Sequence, residues 1–144
     1  MIDSELIFLD TAPIIYIVEN NPNYYSRTSS YFTKMIQNNA NFVTSVISIA
    51  EFGVKPKRIK KLELIEEMEE MLKVFEIQTK EITRSIAELS STIRANYPFL
   101  QNFDALQLAT AVEFNCTVFL TNDKKLKNIK DLNVQLLEDL SNDY

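Results

Sequence analysis

The chain has 144 residues, 46% of them hydrophobic and 24% charged, with a net charge of −5. That is long enough to bury a core of its own and too apolar for wholesale disorder. It contains no histidine and one cysteine, which excludes a Ser-His-Asp or Cys-His nucleophile, a His-ligated or Cys-rich zinc site and an internal disulfide.

Ile2 to Leu9 reads as a short buried strand ending at Asp10, and Thr11-Ala12-Pro13 opens a helix, with proline in its first turn. That helix runs to Val18 and stops at the turn-rich Asn20-Asn21-Pro22-Asn23. A second helix is expected from about Tyr24 to Gln37, then a second strand at Phe42-Val43-Thr44. Ser45 caps a third helix containing Ile47, Ala50 and Glu51, which the only glycine, Gly53, and then Pro56 are expected to close. An amphipathic helix follows over roughly Ile59 to Leu72, with Leu62, Ile65, Met68 and Leu72 as its apolar stripe. Val74 to Ile77 reads as a third strand, and Thr79 as the cap of a helix reaching about Asn96. Asn102 caps an apolar helix, Asp104 to Phe114, and Thr117 to Leu120 is a fourth strand. A helical turn at Asn122 to Leu126 and a fifth strand at Val134 to Leu137 complete the chain.

Short β-rich runs alternating with helices predict a single α/β domain over residues 1–144, with a parallel sheet covered on both faces. No apolar run approaches the roughly 18 residues of a membrane span. Met1 to Glu5 lacks the basic and apolar segments of a signal peptide. A cytoplasmic protein without membrane association is therefore expected, its lone Cys116 serving as core packing.

In open α/β sheets, sites form beyond the carboxyl ends of the strands. Asp10 follows the first strand there, and Glu51 lies about two turns into the helix after the second. Asp104 stands in the first turn of the helix before the fourth strand, and Asp123 lies just beyond that strand. Four carboxylates from distant parts of the chain can thus converge, and they repel one another unless a cation neutralises them. A hard divalent ion, Mg²⁺ or Mn²⁺, would do so and would lower the pKa of a water for attack on a phosphodiester. Each acid also has an ordinary structural reading, a helix-dipole charge for Asp104 or a turn cap for Asp123, so the expectation rests on all four together.

The segments Ile7-Phe8-Leu9-Asp10-Thr11, Ser45-Val46-Ile47-Ser48-Ile49-Ala50-Glu51-Phe52, Asp104-Ala105-Leu106-Gln107-Leu108-Ala109-Thr110-Ala111 and Val118-Phe119-Leu120-Thr121-Asn122-Asp123 resemble PIN-domain proteins in order and spacing. The likeness is greatest to the single-domain PIN ribonucleases that act as VapC-type toxins of toxin–antitoxin pairs. That resemblance implies a three-layer α/β/α sandwich around a central parallel sheet. It implies Asp10, Glu51, Asp104 and Asp123 as ligands of one or two Mg²⁺ or Mn²⁺ ions, with Thr121 as the supporting hydroxyl. It further implies an RNA substrate, a homodimer and a small antitoxin partner. The family often has Asn two residues after its first Asp, where this chain has Ala12.

Two basic clusters flank the acids in sequence. Lys55, Lys57 and Arg58 follow Glu51, while Lys124 and Lys125 follow Asp123; both clusters are candidate contacts to an RNA backbone. Most of the tyrosines, Tyr16 and Tyr24 among them, are expected to serve as core, groove wall or dimer contact, with base stacking as the alternative. Other readings are a solitary PIN nuclease in RNA processing or turnover and a catalytically inactive PIN binding module. A phospho-accepting receiver domain fits less well. It would carry an acidic pair near the first strand and an Asp after the third, where this chain has Asp10-Thr11 and Gln78-Thr79.

Overall fold

The computed structural model describes residues 4–141; Ile2 and Asp3 of the expected first strand lie outside them. Five parallel strands, β1 (Leu6–Leu9), β2 (Asn41–Ser45), β3 (Gln78–Lys80), β4 (Val118–Thr121) and β5 (Val134–Leu136), form one sheet in the order β3-β2-β1-β4-β5. Register pairs Phe8 with Val43 on one side of β1 and with Phe119 on the other. Six helices connect the strands: α1 (Thr11–Val18), α2 (Tyr25–Gln37), α3 (Val46–Arg58), α4 (Glu63–Val74), α5 (Arg84–Asn96) and α6 (Asn102–Glu113).

Alternation along the strands divides the core in two, because successive strand residues face opposite sides. Ile7, Leu9, Phe42, Val118 and Leu120 pack with Ile14, Phe32, Phe52 and Met68 from α1 to α4. Phe8, Val43 and Phe119 pack on the other face with Ile86, Ile93, Leu108 and Ala109 from α5 and α6. The fold is thus the expected three-layer α/β/α sandwich. Among the described residues no helix is long and apolar enough to cross a membrane.

Several boundaries differ from those expected, each for a physical reason. Gly53 and Pro56 do not close α3, which continues through both to Arg58. Buried Phe52 and Pro56 anchor that last stretch, and the Ile59 N–H still reaches the Lys55 carbonyl at 3.0 Å. The next helix begins at Glu63 and not at Ile59, because Lys60 turns into the left-handed region with φ 58°. Val74 belongs to α4 and not to a strand. Beyond it Glu76 takes φ 52°, and the Ile77 N–H returns to the Leu72 carbonyl at 2.8 Å, the closure of a Schellman motif. β3 therefore starts only at Gln78, and Thr83, not Thr79, caps α5 through the Ile86 N–H at 3.2 Å. Gln101 occupies the N-cap position of α6, with Asn102 as its first residue. The turn after β4 is a 3-10 helix over Lys124–Asn128.

Candidate active site

From β1 the chain steps outward to β2 and β3, then crosses back to place β4 on the other side of β1. Connections leaving the carboxyl ends of β1 and β4 diverge, opening a crevice between them where α/β proteins place their ligands. Asp10 ends β1 at this switch point. Its backbone N–H extends the ladder to the Leu120 carbonyl at 3.0 Å, and its side chain caps α1 by accepting from the Thr11 N–H at 2.9 Å. The second carboxylate oxygen accepts from the Thr121 hydroxyl, at the end of β4, at 2.7 Å. Thr121 is completely buried and its oxygen also accepts the Asp123 N–H at 3.1 Å, so one hydroxyl ties two of the acids.

Asp123 is the N-cap of the 3-10 turn, its side chain accepting the Lys125 N–H at 3.0 Å. Glu51 is exposed on α3 and accepts from the Thr11 hydroxyl at 2.7 Å. Asp104 lies in the first turn of α6.

The acids feel one another. Burial pushes the Asp10 carboxyl up to about 6, with the charges of Glu51 and Asp104 adding to the rise and the bonds from Thr121 and Thr11 opposing it. Asp104 is raised as well, first by burial and then by Asp123 and Glu51, while Lys125 pulls it down. All four sequence-derived acids are therefore electrostatically linked at one end of the sheet.

The donor set, hard carboxylate oxygens in a repelling cluster, suits Mg²⁺ or Mn²⁺. Among the described residues, however, no three carboxylates stand close enough for their oxygens to meet on one ion. Three are turned to other partners, Asp10 to the Thr11 N–H and the Thr121 hydroxyl, Glu51 to the Thr11 hydroxyl and Asp123 to the Lys125 N–H.

The basic residues divide. Lys125 acts on Asp104. Lys55 pairs with Glu19 at 3.2 Å and Lys124 with Glu138 at 3.5 Å. On the 3.6-residue repeat of α3, Arg58 and Lys55 share the face of Glu51, whereas Lys57 lies about a third of a turn away. Tyr16 and Tyr24 stack on each other, 4.8 Å between centroids, and Arg27 covers the Tyr24 ring. The Tyr16 hydroxyl accepts from Asn122 at 3.0 Å, so this pair braces the loop bearing Asp123. Buried Cys116 has its thiol pushed up to about 11 by burial, which keeps it protonated, as core packing requires.

Sequence reading missed the buried hydroxyls and amide behind the acids: Thr11, Thr44, Ser45, Ser48 and Gln107. The signal was present in Gln107, the one amide in the otherwise apolar stretch from Ala105 to Ala109.

A doubly wound parallel sheet with an acidic cluster at its switch point defines the class of this protein. More narrowly, the family model described as PIN domain matches residues 7–132, and the chain belongs to that family, whose members are generally nucleases. No curated protein matches the sequence. In fold the chain is similar to FitAcB from Neisseria gonorrhoeae, with TM-score 0.70, 19% identity, and 93% of this chain and 99% of that one covered. It is similar also to VapBC2 from Rickettsia felis bound to a promoter DNA fragment, at 0.69, 20%, 91% and 98%. A toxin–antitoxin complex from Klebsiella pneumoniae matches at 0.67, 21%, 91% and 97%.

Proposed function

We propose that this chain is a Mg²⁺- or Mn²⁺-dependent endoribonuclease of the cytoplasm, the toxin of a type II toxin–antitoxin pair. The observation that carries this reading is the electrostatic linkage of Asp10, Glu51, Asp104 and Asp123 at the β1–β4 switch point. The structural likeness to toxin–antitoxin complexes supports an antitoxin as partner; a homodimer as the working form is proposed from the sequence resemblance alone. Asp10, Asp104, Asp123 and Glu51 would hold the ion.

A divalent cation bound there supplies charge neutralisation and acidifies a water for attack on the phosphodiester. The chain's own residues do the rest. Thr11 and Thr121 each hold one oxygen of Asp10 and so fix its carboxylate plane. Lys125, whose charge acts on Asp104, offers a cation to a backbone phosphate. RNA cleavage with Mg²⁺ or Mn²⁺ tests the proposal, comparing wild type with Asp10→Asn and Asp104→Asn. Wild type is expected to cleave and both variants to lose most activity; equal cleavage by all three would refute the site.

A further inference from the structure

Behind the acids lies a buried polar chain that the proposed reaction does not itself use. Gln107 is 1% exposed. Its carbonyl oxygen faces the Ser45 hydroxyl, and its amide nitrogen donates to Ser48 Oγ at 2.8 Å. Ser48 in turn lies 2.8 Å from Thr44 Oγ1 and 3.2 Å from Thr11 Oγ1, and Thr11 reaches Glu51 at 2.7 Å.

The protons can be assigned. The Leu9 carbonyl only accepts, so Thr44 spends its single proton there, at 2.8 Å. An ionised Glu51 likewise only accepts, so Thr11 donates to it. The proton between Thr44 and Ser48 must then come from Ser48, which leaves Ser48 free to accept only from the Gln107 NH₂. Ser45, whose oxygen already accepts the Ile47 N–H at 3.1 Å, donates to the Gln107 carbonyl. Each contact of 2.8 Å or less thus has one proton, and the longer 3.2 Å approach of Thr11 to Ser48 has none. Turning the amide over would divert the single Ser48 proton to the Gln107 carbonyl and leave the Thr44–Ser48 contact without one. The network admits one orientation of Gln107, and among the described residues no buried side-chain polar atom is left unpaired.

Placement gives this chain its consequence. Gln107 is three residues beyond Asp104 on α6, one helical turn. Ser48 is three residues before Glu51 on α3, again one turn. The Gln107–Ser48 bond therefore links two helices at points equidistant from the two acids they carry.

We infer that Gln107 is a positioning residue for the acidic site, setting Asp104 against Glu51 by bridging α6 to the first turn of α3. This inference rests on the metal-dependent reading above. Residues that orient ligands without touching the ion commonly change metal affinity 10- to 100-fold when removed.

The test is Mn²⁺ binding by the metal-free protein, measured by titration calorimetry without RNA, together with RNA-cleavage kcat and KM. Gln107→Met keeps the volume and deletes the amide, and Ser48→Ala removes the junction with little change in volume. For variants folded at the assay temperature, Mn²⁺ Kd is expected to rise about 10-fold or more and kcat to fall, with KM for RNA little changed. Gln107→Glu, assayed below the pH at which it ionises, is expected to recover much of the affinity. If Gln107→Met fails to fold, Ser48→Ala decides alone. A folded variant whose Mn²⁺ Kd stays within about twofold of wild type overturns the positioning role while leaving the metal site intact. A wild type that binds no Mn²⁺ overturns the metal reading as well, which separates the two failures.

Discussion

Thr121 Oγ1 donates to Asp10 Oδ2 at 2.7 Å, joining the ends of neighbouring strands β4 and β1 across the crevice where the sheet reverses its winding. The same oxygen accepts the Asp123 N–H, so a residue with no solvent exposure orients two acids that have some. Ala12, two residues on, has no polar side chain to offer, so the Asp10 carboxylate is held by the Thr121 hydroxyl and the Thr11 N–H.

Thr121→Val keeps the shape and deletes both bonds. We expect it to reduce RNA-cleavage kcat by about 10- to 100-fold, whereas Thr121→Ser, which keeps the hydroxyl, retains most of it. Cleavage kinetics of the two variants check this, and equal losses would place the effect in packing and not in the hydrogen bond.

Asp10 makes the metal-free protein sensitive to pH. Its folded pKa, about 6, lies above the ordinary 3.8. The folded state therefore binds this proton more tightly than the unfolded chain does. Stability from this group is fully present below pH 3.8 and is lost as pH rises through 6. With allowance for the water that still reaches the carboxylate, the loss is on the order of 2 kcal/mol. Asp10→Asn should abolish it, so that at pH 7 without metal the variant melts above wild type. Denaturant unfolding of both proteins at pH 5 and pH 7 in chelator checks the sign.

The sheet and the four acids were legible because strand ends and helix starts announce themselves locally. Leu9-Asp10 and Leu120-Thr121-Asn122-Asp123 each place a polar group where a buried apolar run stops. The third strand was misplaced because Val74 and Ile77 are apolar for different reasons. Val74 closes α4 at the surface, and buried Ile77 closes the Schellman turn. The Glu76 residue between them takes a positive φ that no sequence rule assigns to Glu. The buried chain through Gln107 left a trace in the sequence only at Gln107 itself, since its members come together only when α6 docks beside α3.

One glycine for five left-handed positions is a local mismatch that can be measured. Asn20, Asn39, Lys60, Glu76 and Asn115 all have positive φ, and the three asparagines tolerate it well. Lys60 and Glu76 do not. Gly53, meanwhile, sits inside α3, where an added Cβ would meet only Lys57 Nζ at 3.8 Å and Cε at 3.9 Å, ordinary contacts. Glu76→Gly and Gly53→Ala are each expected to stabilise the fold by about 0.5–1 kcal/mol, raising Tm by roughly 1–4 °C. Calorimetric melting of the single and double variants checks this, with near-additive gains expected for such separated sites.

RNA binding should depend unevenly on the two basic clusters. Lys55 and Lys124 have carboxylate partners in Glu19 and Glu138, and both pairs sit at the surface, where they are worth little and break readily. Lys125 acts directly on Asp104, and Arg58 lies on the Glu51 face of α3, about two turns farther along. Lys57 faces elsewhere, toward Gly53. For a single-stranded RNA, each lost phosphate contact flattens the dependence of log affinity on log salt by about 0.7. Arg58→Gln and Lys125→Gln are each expected to flatten the slope by about that amount, and Lys57→Gln to leave it unchanged. Fluorescence-anisotropy titrations in the Asp104→Asn background, expected to bind RNA with most of its cleavage lost, over a series of salt concentrations give the slopes. A change for Lys57→Gln as large as that for Lys125→Gln would move the RNA path to the far side of α3.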